Sequence, residues 1–72
     1  MRIHHEADFA YDLEQPRDPQ TQLPLNWRFT VYHLRPVEQV VERGEASSRA
    51  AAERKAKTII SRLMSEERRV AA

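Results

Sequence analysis

Apolar and polar positions alternate along two stretches of the chain before the period changes. In residues 3–13, Ile3, Ala7, Phe9, Tyr11 and Leu13 fall on one side of an extended chain, and His4, Glu6, Asp8 and Asp12 fall on the other. A period of two over this length predicts a half-buried strand. The stronger alternation is at residues 25–34, where Leu25, Trp27, Phe29 and Val31 share one face and Arg28, Thr30 and Tyr32 the other. Its β-branched and aromatic content agrees with the period, and Trp27 and Phe29 are the expected core anchors. Between the two, residues 14–24 hold three of the four prolines and little that is apolar, which predicts a loop, mobile relative to the sheet.

Arg35-Pro36 offers a turn after the second strand, with Pro36 supplying the φ of a type I turn. Residues 37–43 fit two structures. As a strand they return antiparallel and reach Gly44; as a helix Pro36 sits in the first turn, Val37, Val40 and Val41 share a face, and Gly44 caps the end. The strand is favoured, because three valines in seven residues resist a short helix and the preceding strand needs a backbone partner. Residues 47–69 then read as a helix, with Ser47 or Ser48 as N-cap and Ala52, Ala56, Ile59, Ile60 and Leu63 on one stripe. Glu53 and Lys57 are spaced for an i,i+4 ion pair.

The expected fold is α+β: one domain over 1–72, a three-stranded antiparallel sheet with one long C-terminal helix packed on one face (β-β-β-α), with a Pro-rich loop at 14–24 and a frayed tail at 70–72. Trp27, Phe29, Val31, Ala52, Ala56, Ile59 and Leu63 should form one cluster. With 72 residues the margin for a core is thin, since such a chain buries only about 60% of its unfolded surface. Cysteine is absent, so there is no disulfide framework and no thiolate site. No apolar run reaches the roughly 18 residues of a membrane span, and residues 1–20 are too polar for a signal peptide. A cytoplasmic protein with no membrane partner is the expectation.

Charge changes the picture by its distribution. Twelve Lys+Arg against eleven Asp+Glu leave a net +1, which removes any strong global pull toward nucleic acid. Residues 1–24 carry two basic and five acidic groups, and residues 45–72 carry seven and four. An acidic first element therefore suits a place near a basic last one. The helix cations are Arg49, Arg54, Lys55, Lys57, Arg62, Arg68 and Arg69, and positions 54, 55, 57 and 62 spread over its solvent side rather than forming a ridge.

Candidate catalytic chemistry is sparse. His4 and His5 are adjacent, so on a strand they point to opposite faces and cannot chelate one ion together, and His33 is alone in its segment. The carboxylate pairs Glu6/Asp8 and Glu66/Glu67 lack a cleft that would desolvate one member. With one glycine, no glycine-rich phosphate cradle is possible. No enzyme, metal or cofactor is expected. What remains is a surface: Arg28, Thr30 and Tyr32 on the outer strand face, with Arg49 and Arg54 at the helix start, are the candidate binding residues, because Tyr and Arg are enriched among interface anchors.

The run Gly44-Glu45-Ala46-Ser47-Ser48-Arg49-Ala50-Ala51, followed by Ala56 and Ile60, resembles the end of a double-stranded-RNA-binding domain, where a strand leads through glycine and serine into a helix with a basic start. The likeness covers about 20 residues; Arg49 keeps a basic position, while Ser48 and Ala52 stand at others, and the family's first helix has no counterpart in residues 1–24. The order of elements is also similar to the arm-type DNA-binding domain of phage integrases, with Trp27-Arg28-Phe29-Thr30-Val31 as the aromatic strand and Ser47 to Ala56 as the helix start; there the sheet is basic, whereas here the first strand is acidic. More broadly the pattern is similar to many small phage and prophage proteins. The expected function is a non-enzymatic binding module of that type, an accessory or regulatory protein acting on a protein partner, a second copy of this chain included. A nucleic-acid-binding accessory protein is the alternative.

Overall fold

The structure is a computed structural model describing residues 2–6 and 8–71, those at 6 and 69–71 by their backbone alone. The expectations for Ala7, for the Glu6 side chain and for Ala72 lie outside the described residues. Four strands, β1 (Arg2–Glu6), β2 (Phe9–Glu14), β3 (Trp27–His33) and β4 (Gln39–Ala46), precede one helix, α1 (Arg49–Ala71). The sheet is antiparallel in the order β1-β2-β3-β4, leaving β1 and β4 as its edges. The α+β architecture with a single C-terminal helix is as expected, but the sheet has four strands rather than three.

The extra strand comes from residues 3–13. The chain reverses between Glu6 and Phe9, and Ile3 lies opposite Tyr11 and His4 opposite Ala10. Up to His4 paired residues keep the same parity, so a hairpin and one long strand give the same alternation there; a register shift between His4 and Glu6 then sets Glu6 opposite Phe9. Residues 37–43 contribute to β4, which begins at Gln39 and continues through Gly44 to Ala46. Residues 35–37 form a bend, in which the Arg35–Pro36 peptide is cis.

Residues 14–24 form an arm that closes on itself. The amides of Asp18, Gln22 and Leu25 donate to the carbonyls of Leu23, Asp18 and Pro16 at 2.9, 2.8 and 2.9 Å, and Arg17 and Pro24 form an isolated bridge. The Asp18 carboxylate accepts from the amides of Gln20 and Thr21, and those hydrogen bonds hold its pKa below the ordinary value. Gln22 adopts a φ of 62° at the reversal.

Helix α1 starts at Ser48, whose Oγ accepts the Ala51 amide at 3.1 Å. Its 23 residues span about 34 Å. Ala52, Ala56 and Ile60 are fully buried against the sheet, the small residues of the first half letting the helix lie close. The core is Phe9, Tyr11, Leu13, Phe29, Val31, Ala46, Ala52, Ala56 and Ile60, with Ile3, Trp27, Ile59 and Leu63 among the side chains packed around it. The expected cluster is therefore contiguous, but its centre differs. Trp27 is half-buried at its margin, and Phe9, Val31 and Ile60 are the largest side chains wholly inside.

Candidate functional site

The strand register builds the sheet face away from the helix as three cross-strand rows. One row runs Glu14, Arg28, Glu45; the next runs Arg2, Asp12, Thr30, Arg43; the third runs His4, Ala10, Tyr32, Val40. Opposite charges directly across a strand pair stabilise a sheet by a few tenths to about 1 kcal/mol, and this face uses them repeatedly. Arg28 Nε lies 3.7 Å from Glu45 Oε1. The Arg2 guanidinium sits 4.5 Å above the Tyr32 ring and pairs with Glu38, so a side chain from β1 reaches across β2 and β3 toward the turn before β4.

These rows border an open trough of about 590 Å³ lined by Asp12, Glu14, Arg28, Thr30, Tyr32, Arg43 and Glu45. A second depression of about 550 Å³ at the base of the arm is lined by Gln15, Pro24, Leu25 and Asn26, and it shares Arg28 and Glu45 with the first. The two depressions adjoin at Arg28 and Glu45, with Tyr32 lining the first and Leu25 the second. Three carboxylates and two guanidiniums line the first. Both signs are present, and both are open to water.

The candidate residues divide between two sides of the molecule. Arg28, Thr30 and Tyr32 line the trough together. Arg49 and Arg54 belong to α1, which packs on the opposite face, so the sheet stands between the two groups. Arg54 instead borders a small apolar notch with Phe29, Lys55, Thr58 and Ile59. Sequence reasoning did not single out Arg43. Its side of the sheet depends on a register shift between Val31 and Tyr32, for which the chain carries no local signal.

On the helix side, Tyr11 donates its hydroxyl hydrogen to Glu53 Oε2 at 2.9 Å. Burial first, and then the Glu53 carboxylate, push the Tyr11 pKa up from 10.0 to about 12, against a small opposing pull from Arg49. A phenol that holds its proton more tightly when folded stabilises the fold fully below pH 10, and that contribution disappears as pH rises toward 12. Resistance of the wild type to chemical denaturation should therefore weaken across this window, and Tyr11→Phe should remove that part of the loss. An unchanged alkaline limb in the variant overturns the assignment. Nearer the helix end, His33 Nε2 lies 2.9 Å from Glu67 Oε1, with the Phe9 ring centred 4.9 Å from the imidazole.

No family model, curated protein or solved structure gives a significant match to this chain. The site therefore stands on its own geometry. Among the described residues no three His, Cys, Asp or Glu side chains come together as a metal site, and no helix is long and apolar enough to cross a membrane.

Proposed function

We propose that this chain is a non-enzymatic binding module of the cytoplasm whose outer sheet face receives an extended segment of a protein partner. The observation that carries the reading is the adjacency of the two depressions: Arg28 and Glu45 line both, Tyr32 lines the first, and Leu25, 42% exposed, lines the second. An aromatic and an apolar anchor separated by alternating charges suit a peptide of mixed charge better than a polyanion, because Asp12, Glu14 and Glu45 repel phosphates. A surface with recognition chemistry supports an accessory or regulatory role beside a protein partner, of the phage or prophage type that the order of elements resembles.

The test immobilises the full chain, identifies the captured protein by mass spectrometry and measures its affinity by calorimetry. Tyr32→Ala and Arg28→Ala should each weaken binding at least about ten-fold, the 1.4 kcal/mol scale of an interface anchor, with little change in melting temperature. Arg68→Ala, in the last turns of α1, should change nothing. Loss of binding in Arg68→Ala alone overturns the reading. Nucleic acid is the second reading, supported by the exposed helix cations Arg49, Arg54 and Lys55. It requires retention on immobilised duplex DNA at low salt that falls steeply as salt rises.

A further inference from the structure

Strand β4 is an edge, so alternate residues turn their amide and carbonyl groups out of the sheet. The Lys55 ammonium donates to the Glu45 carbonyl at 3.1 Å, covering part of that edge from the helix. The carboxylates of the strand are already answered: Glu42 by Arg62 at 3.5 Å, and Glu45 by Arg28. Arg43 on the outer side, and Arg54 and Lys55 on the helix side, have no carboxylate partner among the described residues. Beside this edge lies the apolar notch of about 290 Å³ between Phe29, Thr58 and Ile59, rimmed by Arg54 and Lys55. Gly44, opposite Phe29, has no side chain to screen the ring from that direction.

We propose that the β4 edge is a second interaction surface, which takes an acidic extended segment of a partner protein as a fifth strand and seats one of its apolar side chains in the notch. Strand addition supplies main-chain hydrogen bonds for affinity and places alternate side chains toward pockets for specificity. Here every second side chain of the added strand turns to the helix side, over Phe29 and Ile59. Lys55 acts as the gate. A charged side chain on a sheet edge discourages indiscriminate pairing, and an incoming carboxylate gives the ammonium a better acceptor than the carbonyl it leaves. The same charge argues against a second copy of this chain, since two β4 edges would bring both sets of unanswered cations together. The edge shares Arg43 and Glu45 with the trough on the outer face, so the notch residues Arg54, Lys55 and Thr58 are what tell the two surfaces apart.

The experiment pans a display library of random nonapeptides against the full chain, then synthesises the enriched peptides. The expected set carries two or more Asp or Glu residues flanking one large apolar residue. Its members should perturb the backbone amide resonances of Arg43 and Glu45, and bind at least about ten-fold more weakly to the Arg54→Glu, Lys55→Glu double variant and to Thr58→Trp, which fills the notch. Positions 54, 55 and 58 are exposed, and unchanged circular dichroism confirms folding; Arg54→Gln is the milder substitute. The proposal is overturned by no enrichment, by peptides that bind the variants equally well, by perturbations confined to Arg28, Thr30 and Tyr32, or by a β4-mediated dimer in analytical ultracentrifugation.

Discussion

Phe29→Ala should lower the unfolding free energy by about 3–5 kcal/mol, the range for removing a buried phenyl ring from a core that cannot close over the gap. Phe29 is 5% exposed and lies between Leu13 on β2 and Gly44 on β4. A neighbour without a side chain cannot move in to fill the space. A domain of this size has a total stability of about 4–11 kcal/mol, so the variant should be largely unfolded at moderate temperature. Trp27→Ala should cost less, about 1–2 kcal/mol, because the indole lies half in water at the end of β3, opposite Ala46. Urea titrations of the two variants decide the order. A Trp27 variant less stable than the Phe29 variant would show that the core is centred at the other end of the sheet.

That ranking separates what the sequence pattern could say from what it could not. Period two placed Phe29, Val31, Phe9, Tyr11 and Leu13 on inward faces, and all five are buried. Period 3.6 placed Ala52, Ala56 and Ile60 on the stripe that meets them. Both signals survive because one face of each element must leave water. Depth within the core leaves no such trace: Trp27 is the largest apolar side chain in the chain, yet it lies near a strand end, and ends are wet. The hairpin of β1 and β2 was hidden for a different reason. The pairs from Arg2 to His4 preserve side-chain parity, and the segment around the reversal carries no Gly, Pro or Asn to mark a break. The trough was half legible. Arg28, Thr30 and Tyr32 share a face by alternation, whereas Arg43 joins them through a bulge that restores pairing on β4 after Val40. Arg49 and Arg54 read as part of the same surface only while the side of the sheet taken by the helix start is unspecified.

Gly44→Ala should destabilise the fold by about 1–3 kcal/mol, the range for forcing an extra methyl into a packed site. On propensity alone the opposite sign is expected, since glycine in a strand interior costs about 0.5–1 kcal/mol relative to alanine. Its backbone conformation is open to any residue, for its φ is not positive. The obstacle is the ring across the strand: a methyl at Gly44 would overlap Phe29 Cζ and stand 2.6 Å from Cε2. Phe29 could yield only by leaving the core or by pushing β4 away from β3, and the latter would also strain the Arg28–Glu45 and Arg62–Glu42 pairs. Sequence reading made Gly44 the end of a strand or the cap of a helix, whereas in the fold it is a mid-strand gap that an aromatic ring occupies. A double-mutant cycle isolates this cause. In the Phe29→Ala background, Gly44→Ala should be neutral or stabilising by up to about 1 kcal/mol, because only the propensity term is left. If that background is too unstable to measure, Phe29→Leu serves, with the penalty of Gly44→Ala reduced but still present. Equal penalties in all three backgrounds would mean that the backbone, and not the ring, demands glycine at this position.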